Sequence, residues 1–133
     1  MKIKEYRNYN EKEILNLYVA VGWTAYTDKP ETLKAGFENS LVTLAAYENG
    51  NFTGILRAVG DGKTIVYIQD ILVMPEYQRR GIGSLLVRTV LERFKNVRQI
   101  VLCTDDTPKT VAFYESMGFV KLTERGCCGF MKA

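Results

Sequence analysis

The chain has 133 residues, of which 47% are hydrophobic and 25% charged, with a net charge of +3. This is the size of one domain, 1–133, able to bury a core without disulfides, and its mild, scattered positive charge argues against a nucleic-acid partner. Histidine is absent, which excludes a histidine base, a Ser-His-Asp or Cys-His triad and a histidine-held metal, so proton transfer falls to carboxylates, Tyr, Cys, Lys or water.

No apolar run approaches the roughly 20 residues that span a bilayer, and the first six residues lack the apolar region of a signal peptide. The expectation is a cytoplasmic protein without a membrane partner. Cys103, Cys127 and Cys128 show no metal-ligand spacing, so no metal is expected. They read as buried or half-buried thiols.

Residues 1–6 alternate weakly and predict a short strand. Asn10 then offers an N-cap, with Glu13 as its capping-box partner. Ile14, Leu17, Tyr18 and Val21 share one face of the helix that follows, and Gly22 ends it. Residues 23–29 form a polar and aromatic loop. Pro30 opens a second helix, with Asp28 as candidate cap and Leu33, Phe37 and Leu41 on its apolar side.

Three strands follow. Residues 42–48 place Val42, Leu44 and Ala46 on one face, and Asn49-Gly50 signals a tight hairpin. Residues 52–59 return, Asp61-Gly62 turns the chain again, and 64–73 form the most apolar strand. The two Asx-Gly turns predict an antiparallel meander. Residues 84–95 carry a helical stripe of Leu86, Val87, Val90, Leu91 and Phe94, with Arg88, Glu92 and Arg93 on the wet side. A short strand at 99–104 comes next, then Thr107 as N-cap and Pro108 at the first helical position. The last helix, 109–117, stops at Gly118. Residues 119–122 and 127–132 predict a terminal hairpin around Arg125-Gly126.

The most informative stretch is 71–84, Ile-Leu-Val-Met-Pro-Glu-Tyr-Gln-Arg-Arg-Gly-Ile-Gly-Ser. Its order is strand, turn, helix, with glycines and cations at the helix mouth. A P-loop needs Gly-Lys-Ser/Thr, which is missing. A Rossmann fingerprint needs a third glycine and a parallel sheet, and this turn follows a meander. What remains is Gln78-x-x-Gly81-x-Gly83. The first turn of a helix exposes amides without intrahelical partners, and the macrodipole adds positive potential. Glycines let a bulky anion approach, and Arg79 and Arg80 add charge. Taken alone, the turn also fits packing glycines with two solvated arginines.

Asp70-Ile-Leu-Val73-Met-Pro75-Glu-Tyr-Gln78-Arg-Arg-Gly81-Ile-Gly83, with Phe113-Tyr114-Glu-Ser-Met-Gly118-Phe119, closely resembles the GCN5-related N-acetyltransferase (GNAT) family. The order of elements matches as well. The resemblance implies an α/β (α+β) GNAT fold: a mixed, mostly antiparallel sheet of six to seven strands, about four helices, and a splay at the cofactor slot. It implies acetyl-CoA as donor and coenzyme A as product. The CoA pyrophosphate would rest on Gln78, Arg79, Arg80, Gly81, Ile82, Gly83 and Ser84, mainly through backbone amides. The pantetheine arm would run beside Leu72 and Val73, with an amide near Val73 polarising the thioester carbonyl. Tyr114 matches the proton donor to the leaving thiolate, a role that suits a phenol of pKa near ~10.

Two positions depart from the family pattern. Thr107 stands where the family frequently has an asparagine that touches the CoA arm. Gln69 stands where some relatives carry a glutamate that acts on the acceptor amine. Strand alternation turns Asp70 away from Gln69, so Asp70 serves either to fix the backbone or as a base. Tyr67, on the Gln69 face, could position water. The base is therefore unassigned, and a water chain or an amine that arrives neutral would serve. Trp23 and Tyr26 are the candidate acceptor contacts, by cation–π contact or stacking. Cys103 is a weak alternative nucleophile.

The expected activity is acetyl-CoA-dependent N-acetyl transfer to a primary amine of a small molecule, by direct attack in a ternary complex. A peptide or protein N-acetyltransferase and a non-catalytic CoA-binding regulatory module are the alternatives. The resemblance also admits a homodimer.

Overall fold

A computed structural model describes the whole chain, Met1–Ala133. In chain order the elements are β1 (Lys2–Glu5), α1 (Glu11–Ala20), α2 (Pro30–Glu38), β2 (Val42–Glu48), β3 (Asn51–Gly60), β4 (Ile65–Val73), α3 (Ile82–Arg93), β5 (Gln99–Leu102) and α4 (Pro108–Ser116). Strand order in the mixed α/β sheet equals chain order, β1-β2-β3-β4-β5, and neighbours from β1 to β4 are antiparallel. The sheet has five strands, not the six or seven expected. Two compact units divide the chain, Met1–Val101 and Leu102–Ala133. No helix is long and apolar enough to cross a membrane.

In the first unit the local signals act as read, with some exchanges of partner. Asn10 caps α1 by accepting the Glu13 amide at 3.0 Å. The Glu13 carboxylate does not return to Asn10. It accepts the Tyr6 hydroxyl at 2.8 Å, and that hydroxyl oxygen accepts the Asn10 amide at 3.2 Å. Asp28 is not a cap: Lys29 occupies that position without a side-chain bond, and Pro30 alone sets the first turn of α2. Leu41 lies beyond the end of α2. Asn49 and Gly50 take left-handed φ values of 51° and 81°, as a tight hairpin requires. At the next turn Asp61 accepts the amides of Lys63, Thr64 and Ile65 and the Thr64 hydroxyl.

The sheet is packed on both faces. On one, α1 and α2 bury Ile14, Leu17, Tyr18, Leu33 and Phe37 against Ala45, Ile55 and Leu72. On the other, α3 packs on β2, β3 and β4 and buries Ile82, Leu86, Val87 and Val90. Each fully buried aliphatic side chain contributes on the order of 1.5–3 kcal/mol.

The β3–β4 register slips between Arg57 and Ala58. Arg57 pairs with Asp70 and Ala58 with Ile68, so Gln69 is the extra residue of a bulge. A bulge resets the alternation of side chains. Asp70 and Gln69 therefore both point towards the first two helices, and the sequence expectation that they face opposite ways is corrected. Asp70 accepts the Tyr18 hydroxyl of α1, and the Gln69 amide reaches Tyr26 of the α1–α2 loop.

The second unit holds α4 and a 3₁₀ turn at Leu122–Arg125. Thr107 caps α4 as expected, accepting the Thr110 amide at 3.3 Å. The terminal hairpin does not form. Its turn is present, with Gly126 at φ 74° and the Cys127 amide bonded to Leu122 O at 2.9 Å, but 127–133 make no strand. Phe130 and Met131 are exposed, as are Cys103, Cys127 and Cys128. The thiols are thus not the buried groups expected, because the strand that would have covered Cys127 and Cys128 is missing.

A buried polar network crosses the α1/α2 face. Asp70 Oδ2 accepts Arg57 Nε at 2.9 Å and the Tyr18 hydroxyl at 2.7 Å. Arg57 also donates to Gly36 O and Ser40 Oγ, both at 3.3 Å, and lies 5.2 Å over the Phe37 ring. Burial, then the Asp70 charge, pushes the Tyr18 phenol far above its ordinary value, so it stays a donor. Asp70→Ala strands a buried guanidinium and is expected to cost about 3–5 kcal/mol. Tyr18→Phe removes one bond to a charged acceptor, at about 1.5–3 kcal/mol. Urea unfolding measures both, and a Tyr18→Phe cost equal to or above that of Asp70→Ala contradicts the ranking.

Candidate functional site

The end of β4 is shaped by β3. A second register shift, between Ala46 and Tyr47, leaves Thr53 as an extra residue in β3. Thr53 is fully buried and donates its hydroxyl to Ala46 O at 3.1 Å, while its carbonyl accepts the Met74 amide at 2.7 Å. Gly54 follows, opposite Val73. A Cβ at Gly54 would lie 2.6 Å from Leu72 O, so only glycine allows β3 to approach β4 here.

Beyond Val73 the chain makes one 3₁₀ turn, Pro75–Tyr77. The Gln78 side-chain amide then reaches back to donate to Val73 O at 3.0 Å. That bond ties the strand end to the glycine turn. Arg79 adopts a left-handed φ of 65°, unusual for a non-glycine residue, and Gly81 follows at 82°. A left-handed residue of this kind costs about 1–2 kcal/mol unless it is glycine. Gly81 is the N-cap of α3 and supplies no side chain, and the first turn contains no acid. The first helical bond runs from the Leu85 amide to Gly81 O at 3.0 Å. The amides of Ile82, Gly83 and Ser84 thus have no intrahelical acceptor, the arrangement that draws an anion to a helix N-terminus. Arg79 and Arg80 are exposed beside them, with the Arg80 guanidinium 5.2 Å over the Tyr77 ring.

Trp23, Tyr26 and Gln69 are brought together, and Tyr18 joins them. The Trp23 and Tyr26 rings are 6.4 Å apart and 31° from parallel. Tyr18 stands edge-on to both, at 6.3 and 5.5 Å. Gln69 Nε2 donates to the Tyr26 hydroxyl at 3.3 Å. Tyr67 pairs with Val59 and so shares the face of Arg57 and Asp70.

In the second unit Tyr114 is half-buried, its ring edge-on to Phe113 at 5.0 Å and Phe119 at 5.8 Å. Burial alone pushes its phenol above the ordinary value. The Thr107 hydroxyl donates to Thr110 Oγ1 at 3.0 Å while accepting the Thr110 amide.

The sequence model of the acetyltransferase (GNAT) family matches residues 7–119. The chain belongs to the GNAT acetyltransferases. A solved GNAT-family acetyltransferase from Streptococcus pneumoniae TIGR4 is 40% identical, with a TM-score of 0.89, over 99% of this chain and 96% of that one. The N-acetyltransferase ycf52 of Gracilaria tenuistipitata var. liui is 28% identical over 90% of this chain and 66% of its own length. The chain spans about two thirds of the length of such curated relatives. An aminoglycoside 6'-N-acetyltransferase solved with coenzyme A shares the fold, at 20% identity and a TM-score of 0.70 over 89% of this chain and 84% of that one. As a GNAT member the chain is an acyltransferase, and the GNAT family uses acetyl-CoA.

Sequence reasoning missed Arg57, Tyr18, Thr53 and Gly54. A signal for the first was present: Arg57 is the one charge in 52–59 and Asp70 the one charge in 64–73. Opposite charges, each alone in an apolar strand of one meander, point to a buried pair. Gly54→Ala is expected to destabilise the fold by about 1–3 kcal/mol through overpacking. It also speeds hydrogen exchange at the Met74 amide. Wild-type stability and exchange in that variant would contradict the steric argument.

Proposed function

We propose that the protein transfers an acetyl group from acetyl-CoA to a primary amine of a small molecule, by direct attack in a ternary complex. The observation that carries this reading is the uncapped N-terminus of α3 behind left-handed Gly81, flanked by Arg79 and Arg80 and tied through Gln78 to the end of β4. On this reading 1–133 works as one GNAT domain.

The amides of Ile82, Gly83 and Ser84 hold the CoA pyrophosphate, with Arg79 and Arg80 adding charge. Gln78 keeps the turn in register with the strand and leaves phosphate contact to the backbone. Leu72 and Val73 line the pantetheine arm. The Met74 amide is already given to Thr53 O, and the amide near Val73 is the group assigned to the thioester oxygen, where it stabilises developing negative charge. The Thr107 hydroxyl spends its hydrogen on Thr110, so towards the CoA arm it offers only an acceptor.

Chemically, bound acetyl-CoA supplies an activated acetyl group. The amine attacks the carbonyl carbon, the C–S bond breaks, and Tyr114 gives its proton to the departing thiolate. Its raised pKa keeps that proton in place at neutral pH. The sign follows: a phenol whose value lies above the ordinary ~10 stays protonated below that pH and loses its proton only above it. Tyr114 therefore places no limit on kcat between neutral pH and about 10.

Tyr114→Phe is expected to lower kcat by about 10²–10⁴-fold, with KM for acetyl-CoA little changed, in a thiol-release assay. Undiminished turnover removes Tyr114 from the mechanism. Replacing Arg79 and Arg80 by alanine weakens acetyl-CoA binding more at low salt than at high salt, measured by calorimetry. Acetylation of peptides with free amines inert assigns the peptide activity instead, and tight binding without any turnover assigns a CoA-binding module.

A further inference from the structure

We propose that the acceptor is an aromatic amine, its amino group carried on a planar ring and already unprotonated at neutral pH, received against Trp23 and Tyr26. The inference rests on the acetyl-transfer reading and concerns the other substrate of that reaction.

Trp23 and Tyr26 are 31° from parallel, and Tyr18 closes the corner edge-on at 68° and 67°. Such a corner offers one ring face for stacking and one edge for a T-shaped contact, the two arrangements aromatic rings prefer. Trp23 is 40% exposed while Tyr18 is fully buried, so Tyr18 is the floor and Trp23 the open side. Gln69 fixes Tyr26 by its bond to the hydroxyl, and the bulge turns that glutamine into the corner.

The charged residues on the surrounding elements are Glu11, Lys12 and Glu13 of α1, Asp28 and Lys29 of the loop, Glu31, Lys34 and Glu38 of α2, Arg57 of β3 and Asp70 of β4. Glu13 holds the Tyr6 hydroxyl, and the other charged residues of α1, the loop and α2 are exposed to solvent. Asp70 is 1% exposed, and one of its oxygens already serves both Arg57 and Tyr18. Its other oxygen is buried without a partner. The carboxylate is therefore neutralised and sealed from a substrate. Gln69, the group beside the rings, accepts no proton. The corner thus holds no group that would strip an ammonium.

An alkyl amine with a pKa near ~10.4 is neutral in roughly one molecule in 2,500 at pH 7. Without a base it reacts only through that fraction. An aryl amine is almost wholly neutral there and brings its own stacking surface. The proton balance closes without a co-reactant. Nitrogen forms the C–N bond, the C–S bond breaks, nitrogen releases one proton to water, and the thiolate gains one.

The test measures thiol release from acetyl-CoA between pH 6 and 9 with 4-methoxyaniline, spermidine and kanamycin as acceptors, alongside calorimetric binding of acetyl-CoA. The expected result is kcat/KM at pH 7 at least tenfold higher for the aryl amine. Its rate is flat with pH, whereas the alkyl amines gain about tenfold per pH unit. Trp23→Ala raises KM for 4-methoxyaniline at least tenfold while kcat and the KM for acetyl-CoA stay within about twofold. Gln69→Glu flattens the pH dependence of spermidine acetylation. Acetyl-CoA binding with transfer only to alkyl amines, or with an unchanged aryl-amine KM in Trp23→Ala, overturns this inference and leaves acetyl transfer standing. Absence of acetyl-CoA binding overturns both.

Discussion

The carboxylate of Asp70 is the point on which the α1/α2 side of the sheet depends. One oxygen joins three elements: Tyr18 from α1, Arg57 from β3, and through Arg57 the carbonyl of Gly36 and the hydroxyl of Ser40 at the end of α2. A buried charge of this kind is tolerated only when its partners are fixed. Their geometry therefore specifies how α1 and α2 sit on the sheet more than it adds to net stability. Apolar residues alone allow helices to slide. The Asp70–Arg57–Tyr18 arrangement does not.

Two bulges shape the strands around that frame. The one at Gln69 puts Gln69 and Asp70 on the same face and so creates a polar edge beside Tyr26. The one at Thr53 lets Gly54 press against Leu72 and sends the chain beyond Val73 into the glycine turn. Gln78 closes the path by returning to the Val73 carbonyl. The segment 71–84, proposed as the acyl-donor site, is in this way a single braced unit from strand end to helix start. The aromatic corner of Tyr18, Trp23 and Tyr26, proposed for the acceptor, carries no available base.

Much of this was legible in the residues. The Asn-Gly and Asp-Gly turns fixed the meander, Asn10 and Thr107 marked helix starts, and Gly81 and Gly83 marked the strand-to-helix turn before α3. The loss of precision has physical causes. A bulge cannot be seen in a period-2 pattern, because Val66, Ile68, Asp70 and Leu72 alternate with half-buried residues as they would in a regular strand. The side-chain directions of Gln69 and Asp70 were misread for that reason. Asp28 looked like a cap because nothing in local sequence says that Pro30 starts the helix without one. The apolar content of 127–131 suggested a strand, yet strand propensity forms nothing without a ladder partner, and Phe130 stays 95% exposed.

Hydrogen exchange of the protein with and without acetyl-CoA bears most directly on the assignment of 71–84 as the donor site. Slowed exchange is predicted at the amides of 72–74 and 82–84, with no comparable change along β1 and β2. Protection confined to other segments, or no protection in 82–84 at saturating acetyl-CoA, would contradict it.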